Sequence, residues 1–361
     1  MVNKSQIIFG LIIIAVALGI TYLYKKPQVK TKATNMTGSV LQQNSQESQT
    51  AENPLSIAFM RKKSYPGSDL TIEETLPSGS NYNQYIASYQ SEGLKIYGLL
   101  TVPLGDPPAG QVPAGNLAGG WPVIIFNHGY IPPEQYKTTE RYTAYVDAFA
   151  RNGYIVFKPD YRGNGNSEGQ PEGAYYSPSY ATDVLNALAT LKHYKDANPE
   201  KIGMWGHSLG GNIVLRDIVV NTKDIKAAVI WGGVVGSYDD LMNNWQRKVS
   251  YQPPPRELAL RNNYRKRITD MYGTPEENPQ FWHAIDPTYY LSDVTAPIQL
   301  HTGGSDEEVP VAFSQNLKEK LEKAGKTVEY YNYPLGDHNI SSPNFELAMQ
   351  RSIDFFNRYL K

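Results

Sequence analysis

The chain has 361 residues, a formal net charge of −1 and no cysteine. Its length accommodates one large domain or two ordinary ones, and its near-zero charge gives no bulk electrostatic reason to expect nucleic acid as a partner. The absence of cysteine excludes disulfides, thiolate metal sites and a cysteine nucleophile.

The first residues have the pattern of a membrane segment. Residues 7–24 are apolar except for one threonine and two glycines, and as a helix they would span roughly 27 Å at 1.5 Å per residue, about one hydrocarbon thickness. A secretory signal peptide is the alternative, but its apolar region is usually shorter, and no clear small-x-small cleavage site precedes Lys25. We therefore expect residues 1–26 to be a membrane anchor or signal segment, and the polar residues 27–53 to be a flexible linker.

The orientation of this anchor is weakly specified. Lys4 lies before the apolar stretch, and four lysines follow it at positions 25, 26, 30 and 32. Counted alone, these charges would keep the rest of the chain in the cytoplasm. A short N-terminal tail followed by a long domain is nevertheless the layout of a signal anchor. We therefore expect a single N-terminal helix with the catalytic domain outside the cytoplasm.

Residues 54–361 carry the pattern of one folded domain. Residues 55–62 and 70–75 are predicted strands, and residues 82–89 and 94–103 a predicted hairpin; residues 104–120, rich in Gly and Pro, are a predicted loop. From residue 121 onward, apolar strands alternate with helical segments. The strands are predicted at 122–127, 154–159, 202–205, 225–231, 297–301 and 327–333, and the helices at 138–152, 178–197, 212–220, 310–323 and 343–360. This alternation predicts an α/β fold whose mainly parallel sheet has helices on both faces.

One insertion interrupts the alternation. Residues 237–290 lie between two predicted strands and are rich in aromatic residues, including Trp245 and Trp282. We interpret the segment as a small helical cap over the carboxyl edge of the sheet, where open α/β sheets bind ligands. Trp245 and Trp282 are therefore candidate substrate-pocket residues, although either could equally be plain core.

The sequence Gly206-His-Ser-Leu-Gly210 is the organising motif of the domain. It follows a short apolar strand and precedes an apolar helix, the strand–turn–helix setting that a G-x-S-x-G nucleophile requires. The turn would expose the hydroxyl of Ser208 above the sheet edge, with the N–H of Leu209 aimed at the site of a forming oxyanion. A glycine-rich turn without chemistry is the alternative interpretation.

A serine hydroxyl needs a base and an orienting carboxylate. Of six histidines, His338 stands in a loop between the last predicted strand and the last helix, where an α/β-hydrolase places its base. Asp306 follows the preceding strand, which gives the order Ser208, Asp306, His338 expected of such enzymes. The rival carboxylates are Glu307, Glu308 and Asp337. His207, inside the turn, is expected to point into the packing.

The second oxyanion donor is expected after an early strand. Phe126-Asn-His-Gly-Tyr130 fits, because Gly129 permits close backbone approach and the N–H of Tyr130 would pair with that of Leu209. The alternative is that His128-Gly129 is only a strand-ending turn.

Several of these pieces together resemble the catalytic domain of prolyl oligopeptidase family serine peptidases. They are Asn127-His-Gly129, Pro159-Asp-Tyr-Arg-Gly163, Gly206-His-Ser-Leu-Gly-Gly211, Ala296-Pro297 before an apolar strand, Gly303-Gly-Ser-Asp-Glu-Glu-Val-Pro310 and Asp337-His338. The resemblance covers about residues 82–360 and implies the α/β-hydrolase fold. It also implies that Asp306 and His338 complete a triad with Ser208, without metal or organic cofactor.

The chain also departs from that family. Many members carry a β-propeller before the catalytic domain, and the stretch here between linker and hydrolase core is too short for one. The tyrosine that some family peptidases use in the oxyanion hole would fall near His128, so that contribution is expected to be absent. We expect a serine hydrolase that cleaves a short peptide or peptide-like amide; the alternative is a carboxylic ester hydrolase. A non-catalytic cell-surface binding module is disfavoured, because such proteins usually lose a triad member.

Overall fold

The computed structural model describes residues 53–105, 119–172, 174–247 and 255–361, with backbone alone for 255–261. The predicted membrane segment 7–24, nearly all of the linker 27–53 and most of the predicted loop 104–120 lie outside these residues. Within the described part of the chain, no helix has the length and apolar character needed to cross a membrane.

Nine strands form one sheet in the order β1-β2-β3-β5-β4-β6-β7-β8-β9. The first three pair antiparallel, and β3 also pairs antiparallel with β5, whereas all pairs from β5 to β9 are parallel. The strands are β1 Thr71–Leu76, β2 Tyr82–Ser91, β3 Leu94–Pro103, β4 Trp121–Asn127, β5 Ile155–Pro159, β6 Ala197–His207, β7 Ile225–Trp231, β8 Ile298–Gly303 and β9 Val328–Tyr333.

Helices cover both faces of the sheet. They are α1 Ile57–Lys62, α2 Thr143–Arg151, α3 Ser179–Lys192, α4 Leu209–Val220, α5 Pro255–Tyr272, α6 Pro279–Ile285, α7 Val311–Lys323 and α8 Phe345–Leu360. One hydrophobic core packs α1, α3, α4 and α7 against the sheet, and a second packs α2 and α8 against it. The strands between the two cores are apolar on both faces, as in β4, whose seven residues are all buried.

The segment between β7 and β8 is helical. It contains a π-helical turn at Asp240–Asn244, then α5 and α6. The expected fold class, a mainly parallel doubly wound sheet with a small helical cap insertion, is confirmed.

The strand predicted at 55–62 is wrong. Residues Ile57–Lys62 form helix α1 instead, and the side chain of Ser56 caps it by accepting the N–H of Phe59. Ile57 and Met60, three positions apart, are both buried. A short apolar run of this length fits a strand or a helix equally well, and the N-cap serine is the signal that distinguishes them.

The helix predicted at 178–197 extends too far. Helix α3 ends at Lys192, and Ala197 already belongs to β6, where it pairs with Trp121. The tight turn between them leaves no room for another helical turn. The helix predicted at 138–152 likewise begins only at Thr143, after a Tyr142 whose backbone is left-handed.

Candidate active site

Ser208 lies at the sharp turn between β6 and α4. Its backbone has φ 55° and ψ −115°, a region that non-glycine residues rarely occupy. The flanking glycines make room for it: a Cβ on Gly210 would lie 1.9 Å from the carbonyl oxygen of Asn127, and one on Gly206 would lie 2.4 Å from that of Gly210. The turn therefore brings the start of α4 directly against the end of β4.

The backbone of Ser208 is held from both sides. Its N–H donates to the carbonyl of Trp231 at 3.0 Å, and its carbonyl accepts from Gly211 and Val234, each at 3.0 Å. The strained conformation is thus fixed by the next strand and by the first turn of α4. The position of the serine Cβ at the turn is therefore fixed by its surroundings.

His338 and Asp306 meet in a direct hydrogen bond. Nδ1 of His338 lies 2.8 Å from Oδ2 of Asp306, and both side chains are buried. The other oxygen of Asp306 accepts the backbone N–H groups of Glu308 and Val309 at 2.8 and 2.9 Å. The carboxylate is therefore fixed before it meets the imidazole.

The rival Asp337 is occupied elsewhere. Its two oxygens accept the backbone N–H and the hydroxyl of Ser341, at 2.8 and 2.9 Å. It thus closes the turn before α8, although it stands next to His338 in sequence. The geometry favours Asp306 as the orienting carboxylate.

The loop of His338 packs against the serine turn. Nε2 of His207 lies 3.0 Å from the carbonyl oxygen of His338, and the centroids of the two rings are 4.6 Å apart. A Cβ on Gly232, the residue after Trp231, would lie 3.1 Å from Nδ1 of His338. Among the described residues, no hydrogen bond joins the Ser208 hydroxyl to His338. Such bonds are often long in unliganded enzymes and shorten when substrate binds.

The loop after β4 holds the Gly129–Tyr130 peptide in a defined orientation. The N–H of Gly129 donates to the hydroxyl of Tyr142 at 2.9 Å, and its carbonyl lies 2.7 Å from Nδ1 of His128. Burial lowers the pKa of His128 to about 3, so the ring is neutral and carries one N–H. Nδ1 is the better placed donor, because it lies 2.7 Å from this carbonyl, whereas Nε2 lies 3.4 Å from the carbonyl of Asp160. Because a trans peptide sets N–H opposite C=O, the direction of the Tyr130 N–H is fixed as well.

The same loop is tied to the end of β5. Asp160 accepts hydrogen bonds from the hydroxyls of Tyr136 and Thr138 at 2.7 and 2.6 Å, and burial raises its pKa to about 6. His128 stacks between the rings of Tyr136 and Tyr161, with centroids 4.7 and 4.3 Å away. These contacts anchor the loop from both of its ends.

The two candidate tryptophans of the cap have different surroundings. Trp282 is 2% exposed and donates its indole N–H to the carbonyl of Gly273, so it packs inside the cap. Trp245 is half-buried, and its N–H donates to the carbonyl of Glu308 at 2.8 Å, next to the Asp306 loop. Trp245 is therefore the one that adjoins the triad loops.

A cavity of about 330 Å³ lies on another side of the cap. Its walls come from α5, from the residues around Tyr176 and from residues 53–55, and they include neither Ser208 nor His338. This cavity therefore does not identify the acyl pocket.

Sequence reasoning missed two contributors to this arrangement. Tyr142 joins the loop after β4 to His207, and Asp160 anchors that loop to β5. The sequence signal for Asp160 was its place in the Asp-Tyr-Arg-Gly motif; nothing in the sequence singled out Tyr142.

Comparison with known proteins assigns the chain to a family. Residues 140–361 match the model of the prolyl oligopeptidase family. An uncharacterized peptidase, YtmA of Bacillus subtilis, is 26% identical over 264 residues, which cover 73% of this chain and 89% of YtmA.

Solved structures share the fold. The acylaminoacyl peptidase of Pyrococcus horikoshii is 19% identical with a TM-score of 0.57; the alignment covers 78% of this chain and 42% of that one. An acetyl xylan esterase from Paenibacillus sp. R4 is 18% identical with a TM-score of 0.60, covering 92% of this chain and 97% of that one. The chain spans less than half of the peptidase structure but nearly all of the esterase. On the strength of the family match over more than half of its length, the chain belongs to the prolyl oligopeptidase family and is a serine hydrolase.

Proposed function

We propose that the chain hydrolyses a peptide or peptide-like amide bond through an acyl-enzyme formed on Ser208. The observation that carries the proposal is the buried hydrogen bond of 2.8 Å between His338 and Asp306, at the sheet edge where Ser208 occupies its strained turn. A carboxylate bound to Nδ1 leaves Nε2 of the imidazole free to accept the proton of the serine hydroxyl.

The steps follow from this arrangement. Ser208 Oγ attacks the acyl carbon as His338 takes its proton, and the N–H groups of Leu209 and Tyr130 stabilise the oxyanion. The imidazolium then protonates the leaving amine, and the acyl-enzyme remains. Water, deprotonated by His338, attacks that ester, and the imidazolium returns the proton to Ser208 Oγ as the acid is released. Asp306 stabilises the imidazolium in both halves of the cycle.

The amide substrate class is supported by the similarity to the peptidase YtmA and by family membership. The second candidate is a carboxylic ester, favoured by the esterase fold that matches this chain along almost its whole length. Both reactions use the same triad and differ in the leaving group that His338 must protonate.

A paired substrate panel tests the choice. Aminoacyl-nitroanilides and nitrophenyl esters with matched acyl groups are compared by kcat/KM on the same preparation, with Ser208→Ala as the blank. Turnover of anilides and short peptides supports the amide proposal. Turnover of esters alone, with no anilide or peptide cleaved above the Ser208→Ala blank, moves the assignment to an esterase.

We also propose that residues 7–24 tether the enzyme to a membrane, with the catalytic domain outside the cytoplasm. The support is the apolar length of this segment followed by a polar linker. Membrane fractionation of the full chain, followed by protease treatment of intact cells, tests both parts. Release by alkaline carbonate, or protection of the catalytic domain in intact cells, contradicts them.

A further inference from the structure

We propose that Tyr142 and His207 are positioning residues that link the oxyanion loop to the loop of the catalytic base. The inference rests on the proposed function, because it assigns these residues to the same reaction centre. It concerns a chain of three hydrogen bonds, two of them half-buried and the last one buried, that runs from Gly129 through Tyr142 and His207 to His338.

The protons in this chain have one consistent arrangement. Burial lowers the pKa of His207 to about 3, with the charge of a protonated His338 adding to the effect, so the ring is neutral and carries one N–H. Nε2 of His207 lies 3.0 Å from the carbonyl oxygen of His338, which can only accept, so the proton is on Nε2. Nδ1 must then accept, and its partner is the hydroxyl of Tyr142 at 2.7 Å.

The hydroxyl of Tyr142 is satisfied from both sides. It donates to Nδ1 of His207 and accepts the N–H of Gly129 at 2.9 Å. The approach requires a residue without a side chain, because a Cβ on Gly129 would lie 2.6 Å from the Tyr142 oxygen and 3.2 Å from Cβ of Ser208. This chain of three hydrogen bonds from Gly129 to His338, called the relay below, therefore passes directly beside the nucleophile.

The backbone that delivers Tyr142 is strained. Arg141 and Tyr142 are consecutive non-glycine residues with φ of 59° and 56°. Such a conformation is unfavourable for a non-glycine residue and persists only where its surroundings demand it. Here this backbone conformation packs the Tyr142 ring against the rings of Phe126 and His207, whose centroids lie 5.5 and 5.6 Å from its own.

The relay controls two things that the reaction needs. On one side it holds the N–H of Gly129 and so fixes the peptide that precedes the one carrying the Tyr130 donor. The carbonyl of that next peptide lies 2.7 Å from Nδ1 of His128. On the other side it holds the backbone of His338, and with it the distance between the imidazole and Ser208. An error of about 1 Å in such a group costs up to about 100-fold in rate.

The test removes the relay without removing the ring. Tyr142→Phe loses both hydrogen bonds and keeps the aromatic packing. The matched control is Tyr154→Phe, which deletes the hydroxyl of a fully buried tyrosine, bonded to Asn357 at 2.8 Å, far from the site in the α8 packing. We expect Tyr142→Phe to lower kcat about 10- to 100-fold with KM within about twofold. Tyr154→Phe should leave both unchanged, although both variants lose stability.

His207 provides a second and independent variant. His207→Asn places an amide oxygen near the position of Nδ1 and drops the bond to His338, whereas His207→Gln places an amide N–H near Nε2 and drops the bond to Tyr142. We expect each to lower kcat. Adding Tyr142→Phe to His207→Asn should cost much less than the product of the two single losses, because both break one chain.

The outcomes separate this inference from the proposed function. A wild-type protein that no fluorophosphonate labels at Ser208 overturns the proposed function and the relay with it. A wild type that is labelled, with folded Tyr142→Phe retaining kcat within about threefold, overturns the relay alone. Effects confined to KM, or fully multiplicative losses in the double variant, also overturn it. Should Tyr142→Phe fail to fold, the kcat values of the two His207 variants decide.

Discussion

Replacing Asp306 by asparagine is the sharpest probe of the charge arrangement at this site. Oδ1 of Asp306 accepts two backbone N–H groups, from Glu308 and Val309, so an asparagine must place its oxygen there. Its NH₂ then faces Nδ1 of His338, in place of the present acceptor at 2.8 Å. Nδ1 of His338 then becomes the acceptor, and the imidazole proton moves to Nε2. Nε2 can therefore no longer accept the proton of the Ser208 hydroxyl.

The expected loss is large, because the geometry survives while the tautomer is wrong. A drop of about 10⁴ in kcat is typical of this exchange in serine hydrolases, equal to about 5 kcal/mol in activation free energy. The matched control is Asp337→Asn, whose oxygen can still accept the N–H of Ser341. We expect this control to stay within roughly threefold of wild type.

The assay compares kcat/KM of both variants on one nitrophenyl ester, alongside thermal unfolding to establish that both are folded. An Asp337→Asn loss as large as that of Asp306→Asn would refute the assignment. A reversed order would move the orienting role to Asp337.

Three further predictions follow from burial and placement. His128 and His207 keep pKa values of about 3 through burial, against about 6.5 when unfolded, so each contributes stability that is present above pH 6.5 and is lost as pH falls towards 3. Between pH 7 and 5 each histidine lowers the free energy of unfolding by about 2 kcal/mol. Asp160 offsets about 1 kcal/mol of this loss, because its pKa is raised to about 6 and the folded protein therefore binds the proton before the unfolded chain does. Urea unfolding at several pH values gives the slope of the free energy of unfolding against pH. We expect that slope to be flatter in His207→Asn than in the wild type and unchanged in the exposed His283→Asn. Equal slopes in the wild type and both variants contradict the prediction. Trp245→Ala should change the ester-to-anilide ratio of kcat/KM, whereas Trp282→Ala should mainly lower the melting temperature; unchanged ratios in folded Trp245→Ala would make it a packing residue. A chain beginning at residue 51 should be folded and active after purification without detergent, and a folded but inactive product would show that the front segment belongs to the catalytic unit.

The sequence predicted the inner strands of the sheet well because they are buried on both faces. Runs such as residues 123–126 are apolar throughout, and apolar runs of this length that alternate with helical segments are typical of the inner strands of a parallel sheet. The strand β6 was predicted too short, since its first half contains Asn198, Glu200 and Lys201, which have no strand pattern of their own. That half is extended because Trp121 pairs with Ala197 across the sheet, a contact that the local sequence does not carry.

The candidate triad followed from order and spacing, because each member stands directly after a strand and parallel strands end at one edge. Asp306 and His338 come from consecutive strands, and the structure joins them in a hydrogen bond. The contacts that hold the loops around the triad were not predictable from the sequence. Tyr142 reaches Gly129 and His207 through a left-handed backbone conformation that no residue propensity favours. Tertiary packing decided that conformation.

The central claim is that Ser208 forms a covalent intermediate, and intact mass spectrometry tests it most directly. We predict that a fluorophosphonate adds once to the wild-type protein, that peptide mapping places the adduct on Ser208, and that Ser208→Ala neither reacts nor turns over substrate. Turnover should fall by about 10⁴ to 10⁶ in that variant, with the fold intact. An adduct on another residue, or a Ser208→Ala variant that keeps a tenth of wild-type activity, would contradict the claim.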